Sequence, residues 1–324
     1  MPGPRGVANI LAKSPGDVVI LSSVRTPITR AYKGRLRDAY PEELLACVLR
    51  HVRERSVPGT DLGPLIEDVG VGVVLSELGG SKAARMAMNH VGYPSSTALF
   101  TVNRACSSSL QAVAAVAGQI RGGAASGSSV GAEQQVTVAR DDGIRDSVSV
   151  EALARLKPAF KPGGASTAGH PGQVSDGAAA TLLMSRGTAT RLGLSDRIIG
   201  KFVSAAVVGC APDEMGIGPA LAIPKLLAAH GLAVGDVDRW EINEAFASQA
   251  LYCLRELGLE DAWAAGRVNP TGGAIALGHP LGATGARMTS TLMHGMRRDG
   301  HDLGVVSMCV GTGMGMAGLF ARED

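Results

Sequence analysis

Short apolar runs alternate with helix-like stretches along this chain, and glycine marks many of the junctions between them. That rhythm restricts the fold more than any other feature, because a strand, a crossover helix and a second strand form the βαβ unit. Residues 17–22 and 69–75 read as strands, apolar enough to be buried on both faces. A helix opens at Pro41 and runs to Arg55 with apolar residues at 44, 45, 48 and 49, and residues 81–91 form another. Residues 97–102 make a third strand, followed by an Ala-rich helix over 110–120. The pattern then returns: strand 198–208, helix 218–230, strand 239–242, helices 246–257 and 285–298, and strands near 303–309 and 314–321. The fold class is α/β, and two successive halves, each placing a reactive residue at a glycine-rich turn, suit a duplicated fold.

Those turns carry the chemistry. Cys106 stands between the strand at 97–102 and the Ala-rich helix, where unpaired backbone N–H groups and the helix dipole favour a thiolate. On this segment alone it equally reads as a small buried cysteine packing a helix start. His279 sits in the turn 272–282, with glycines at 272, 273, 278 and 282. Cys309 ends the apolar run 303–309, and Gly311, Gly313 and Gly315 follow it. Asn243 and Glu244 follow the strand at 239–242 and read either as functional groups or as caps of the helix after them. The spacing of Cys106, His279 and Cys309 gives no support to a metal site. The glycines at 311–318 mimic a dinucleotide fingerprint, but only six residues follow Gly318, too few for the helix and second strand such a site needs.

Taken in order, residues 102–112, 173–180, 215–220, 240–247, 272–282 and 305–315 resemble the thiolase family, closest in wording to the peroxisomal type of 3-ketoacyl-CoA thiolase. The likeness spans nearly the whole chain. It implies duplicated βαβαβαββ halves in a five-layered α/β/α/β/α arrangement. It divides the chain into an N-terminal half at 1–133, a truncated loop-domain remnant at 134–196 and a C-terminal half at 197–324. It implies an acyltransferase of β-oxidation, acetyl-CoA C-acyltransferase in type, working through an acyl-Cys106 thioester. In that scheme His279 is the base for Cys106 and Cys309 protonates the departing enolate. Asn243 holds a water for the enolate oxygen, and the N–H groups of Cys106 and Gly311 form a second oxyanion hole. Coenzyme A is co-substrate, with no permanently bound cofactor, and Arg145, Phe160, Ala168, Gly169, Met215 and Phe246 line its site and the acyl-CoA pocket. The resemblance also implies a homodimer.

Composition narrows the alternatives. Lys+Arg 31 against Asp+Glu 29 gives no electrostatic case for nucleic acid or an anionic membrane, and 3% aromatic content argues against base stacking. No run approaches a membrane span, and no apolar signal core follows Arg5. Five cysteines without CxxC spacing read as reduced thiols of an intracellular protein. Family likeness points to the peroxisome, the cytosol being the other compartment, since neither terminus carries a clear targeting signal.

The largest departure from the family pattern is a gap. Residues 128–133 resemble the end of a family strand, and 136–145 already resemble the far side of a long insert, so several dozen residues are missing between them. Ser126–Ser129 replaces an apolar run. His170 stands for the usual Asn, Gly172 for a frequent Ser and Ser109 for a glycine; Thr271 and Ala283 also differ. These changes bear on coenzyme A affinity and raise a rival reading: a catalytically weak thiolase-like association partner. A decarboxylating ketoacyl synthase is the third reading, and Cys309 argues against it.

Overall fold

The computed structural model describes residues 5–122, 138–159, 161–164 and 166–323. The likeness at 128–133, the replacement at 126–129 and the pocket role expected of Phe160 fall outside the described residues. The described strands are β1 (Val18–Arg25), β2 (Thr29–Arg30), β3 (Asp68–Gly72), β4 (Ala98–Val102), β5 (Ser175–Asp176), β6 (Ala179–Ser185), β7 (Gly200–Gly209), β8 (Arg239–Ile242), β9 (Leu303–Val310) and β10 (Met314–Arg322). The helices are α1 (Val7–Leu11), α2 (Pro41–Arg55), α3 (Ser81–His90), α4 (Ser108–Arg121), α5 (Val150–Ala154), α6 (Arg186–Arg191), α7 (Gly218–His230), α8 (Ala247–Glu256), α9 (Glu260–Ala264), α10 (Ala274–Leu277) and α11 (Thr284–Asp299).

Six strands form one sheet in the order β6-β1-β7-β10-β9-β8, and β3 pairs in parallel with β4. The two halves echo each other: β6 runs antiparallel to β1 as β10 runs antiparallel to β7. Strand β6 lies within residues 134–196. In the second half β9 separates β8 from β10. Among the described residues of the first half, no strand separates β3 from β6. An apolar cavity of about 380 Å³ lies there, lined by Leu49, Val69, Val71, Val113, Ala180 and Leu182.

Strand alternation sorts side chains into layers. In β1, Val19 and Leu21 join Leu49 and Val52 of α2 and Met88 of α3 on one face. Val18 and Ile20 turn the other way, toward Leu110 and Val113 of α4 and Met288 and Leu292 of α11. Val306 of β9 and Met316 and Phe320 of β10 close over the same two helices. Beyond them Val305 and Leu319 face Ile223 and Leu226 of α7 and Leu254 of α8. Strand β9 is buried along its whole length, which explains why its sequence is continuously apolar rather than alternating. Helices α4 and α11 are therefore central, with sheet on either side and α2, α3, α7 and α8 outermost. Gly285 permits their contact: a Cβ there would stand 2.5 Å from Leu110 N and 2.7 Å from Leu110 Cβ. No described strand–helix unit follows the glycines at 311–318, which turn directly into β10.

Candidate active site

Cys106 lies on a tight turn between β4 and α4. Ala105 before it has φ 41, a left-handed conformation that costs a non-glycine residue on the order of 1 kcal/mol or more. Local hydrogen bonds hold it: Ala105 N donates to Asn103 Oδ1 at 3.0 Å, and the Ser108 hydroxyl donates to Ala105 O at 2.7 Å. Arg104 N donates to the same hydroxyl oxygen at 2.9 Å. The thiol is half-buried, and burial pushes its pKa up, against the pull of the Gly311 N–H and its own N–H. This corrects the expectation that the helix start favours a thiolate. Cys106 precedes Ser107, the N-cap of α4, and desolvation outweighs the donors around it. The thiol needs a base.

His279 is buried and held from three directions. Gly278, at φ 120, turns the chain into it, and a Cβ there would collide with the side chain of Ser175. His279 N donates to Gln173 O at 2.7 Å, and Nδ1 lies 2.7 Å from Thr284 Oγ1. With Nδ1–H donating to Thr284, Nε2 is the free acceptor, the form a base requires. Desolvation, aided by the charge of Arg287, lowers the imidazole pKa to about 4, so the ring is neutral near pH 7. Thr284 opens α11, and Ala286 N donates to Ser109 Oγ at 2.9 Å across to α4. Ser109, a departure from the family pattern, thus ties the His279 helix to the Cys106 helix.

Cys309, 1% exposed near the end of β9, is pushed up to about 12, chiefly by burial and then by the neighbouring Cys106, Cys253 and Cys210 thiols. It is a protonated acid at rest. After it Thr312 at φ 73 and Gly313 at φ 91 make the turn into β10. A Cβ on Gly311 would stand 3.8 Å from Ala105 Cβ, which sets this turn against the Cys106 turn and explains the Gly311 N–H reaching the thiol. Asn243 follows β8, its N–H donating to Ser307 O at 2.9 Å on the adjacent β9. Its Oδ1 and Nδ2 are buried and have no hydrogen-bond partner in the protein. Neither Asn243 nor Glu244 caps α8, whose N-cap is Phe246.

The residues expected around coenzyme A are only partly gathered. Pro171 bridges to Phe246, Gly172 N donates to Ala245 O, and Ala247 N donates to His170 O, which brings the turn holding Ala168 and Gly169 beside Phe246. His170 stabilises that turn, its Nδ1 accepting from Thr167 N at 3.0 Å. Met215, half-buried in the short helix Pro212–Ile217, joins through Gly216, which packs on Gln249 of α8. Arg145 is exposed. The sequence reading missed what anchors the preceding segment. Asp141 pairs with Arg25 at 2.7 and 2.8 Å and accepts from Ile28 N, and Asp142 accepts from Arg30 N and Arg35 N. No group of His, Cys, Asp and Glu among the described residues has the makings of a metal site. No helix among them is long and apolar enough to cross a membrane.

Two family models match the chain: "Thiolase, N-terminal domain" over residues 18–134 and 128–187, and "Thiolase, C-terminal domain" over 196–322. The peroxisomal 3-ketoacyl-CoA thiolase B of Mus musculus is 41% identical over 402 aligned positions, covering 97% of this chain and 92% of the relative. That alignment is longer than the chain's 324 residues, so the relative holds residues with no counterpart here. The dimeric peroxisomal thiolase of Saccharomyces cerevisiae superposes with a TM-score of 0.85 at 34% identity, covering 98% of this chain and all of that one. A second structure of the yeast enzyme, described as five-layered with two core domains of identical topology, gives 0.78 at 37% identity, covering 97% and 100%. Human mitochondrial 3-ketoacyl-CoA thiolase in complex with CoA gives 0.83 at 26% identity, covering 97% and 99%.

Proposed function

Because the chain belongs to the thiolase family, we propose that Cys106, His279, Cys309, Asn243 and Gly311 divide the work of one carbon–carbon bond cleavage. The activity is that of a 3-ketoacyl-CoA thiolase, an acyltransferase. Neutral His279 takes the Cys106 proton through Nε2, and the thiolate attacks the 3-keto carbonyl. The oxyanion falls between the N–H groups of Cys106 and Gly311, which already converge on the sulfur. As the bond between C2 and C3 breaks, the acyl group stays on Cys106 and its electron pair leaves with the acetyl-CoA enolate. Cys309, protonated because burial holds its pKa near 12, gives that carbon its proton. A water held by the unpaired amide of Asn243, together with the imidazole of His279, stabilises the enolate oxygen. Coenzyme A then gives its thiol proton to Cys309 and attacks the thioester, releasing the shortened acyl-CoA, and His279 returns its proton to the departing Cys106 thiolate.

The observation that carries this reading is the meeting of turns from both halves at one thiol: the Gly311 N–H from one reaches Cys106 on the other. In the same reading Arg145 lies near the coenzyme A nucleotide, while Ala168, Gly169, Met215 and Phe246 line the acyl-pantetheine path. Residues 1–133 and 197–324 are the two halves, and 134–196 is a trimmed loop region whose strand β6 rejoins the first half's sheet. No cofactor is permanently bound. The dimeric yeast structure supports a homodimer, and the peroxisomal relatives support the peroxisome over the cytosol. The reading of a non-catalytic association partner is not favoured, since nucleophile, base and acid are all present.

Thiolysis of a short and a medium 3-ketoacyl-CoA, with Cys106→Ala as control, tests the function. Turnover abolished by the substitution, with a mass increment of one acyl group on wild-type Cys106, is the expected result. A folded protein that neither turns over nor acylates would refute it.

A further inference from the structure

Glu244 sits next to Asn243, yet its carboxylate serves the other side of the site. Oε1 accepts from Asn269 Nδ2 at 2.9 Å, and Oε2 accepts from Ile275 N at 3.1 Å in the first turn of α10. The N-cap of α10 is Gly273, which has no side chain to serve that N–H. A Cβ on Gly273 would overlap the Glu244 carboxylate, so the glycine is what admits it. Asn269 is itself pinned. Its Oδ1 accepts from Ile242 N at 2.9 Å and its Nδ2 donates to Ile242 O at 2.8 Å, which leaves one amide hydrogen directed at Glu244. From α10 the chain continues through Gly278 directly into His279.

We infer that Glu244 is a positioning residue for the reaction: it ties the end of β8, which carries Asn243, to the turn that carries His279, and so fixes the spacing of the two groups at the enolate oxygen. The inference rests on the roles assigned above to Asn243 and His279. Its chemistry is specific to a carboxylate. Both of the donors it meets are fixed N–H groups, and only a side chain with two acceptor oxygens satisfies both. In Glu244→Gln one of those donors must face an NH2 group, and Asn269 is held against the flip that would relieve it. A displacement of a reacting group by ~1 Å costs on the order of 10²-fold in rate.

The experiment compares wild type with Glu244→Gln. Glu244→Gln is expected to lower kcat by about 10²-fold while the KM for coenzyme A holds. Amide exchange at Ile275 speeds up in the variant. Unchanged kcat in Glu244→Gln, or unchanged exchange at Ile275, overturns the inference. Exchange is read without substrate, so a wild type that lacked thiolysis would sink the catalytic reading while leaving the tether still measurable.

Discussion

The Thr284 hydroxyl lies 2.7 Å from His279 Nδ1, inside a region where both side chains are buried. Thr284 is part of α11, so the partner of this imidazole nitrogen is supplied by a helix packed in the centre of the molecule.

Thr284→Val keeps the shape of the side chain and removes the partner. A buried donor without an acceptor costs about 1–3 kcal/mol, which corresponds to roughly a tenfold loss for each ~1.4 kcal/mol that falls on the reactive tautomer. The expected outcome is a fall in kcat of about tenfold, measured by steady-state thiolysis, with the protein still folded by circular dichroism. Full activity would mean that Thr284 does not orient the base.

Cys309→Ala separates the two half-reactions. Because Cys309 is a protonated acid beside a nucleophile that does not need it for attack, iodoacetamide should still alkylate Cys106. Exchange of the acetyl-CoA methyl protons with deuterium should fall by at least about 10²-fold, the usual scale of general acid–base catalysis. Exchange at the wild-type rate would remove Cys309 from the mechanism.

Two buried groups give stability opposite pH slopes. His279 is depressed from 6.5 to about 4, so between those values the unfolded chain binds the extra proton and stability falls as pH falls. Glu241 is raised from 4.5 to about 7 by burial, against the pull of Arg239 and Arg287. Across that window the folded chain holds the extra proton, and stability falls as pH rises. The contributions of these two groups oppose each other between about pH 4.5 and 6.5. Thermal melts of wild type and His279→Asn test this: removing the imidazole should make the melting temperature decline more steeply from pH 4.5 to 6.5. Parallel profiles would contradict it.

Gly285→Ala places a methyl group against the Leu110 backbone, where no flexible side chain end is available to move. Overpacking of this kind costs about 1–3 kcal/mol and parts α4 from α11, which carries Thr284. Both a lower melting temperature and a lower kcat are expected, and a variant with normal values of both would show that the helices have slack.

Much of this was legible in the sequence because it depends on local pattern. The strands and helices around Cys106, Asn243, His279 and Cys309 fall within a residue or two of where periodicity and glycine turns place them. Strand β6 was missed as an element, since its seven residues lie in a stretch dominated by loop signals. The Cys106 pKa was misjudged because desolvation is a property of packing, whereas the helix start is visible in the chain. Ser109 and Ala286 are 177 residues apart, and nothing local announces their bond. Asp141 and Asp142 satisfy backbone donors more than a hundred residues away, which no local pattern announces. The Glu244 carboxylate reads in sequence as a cap for the helix that follows it, whereas it caps one that begins thirty residues on.

The contact of α4 with α11 makes the centre of this protein a seam between its halves, with Cys106 on one lip and His279 on the other. Neither half alone assembles the reactive set, so turnover reports the closure of the whole molecule rather than the folding of any single region. An enzyme built this way has its activity and its cohesion failing together, and inhibitors wedged into the seam would act by parting it rather than by competing for the thiol.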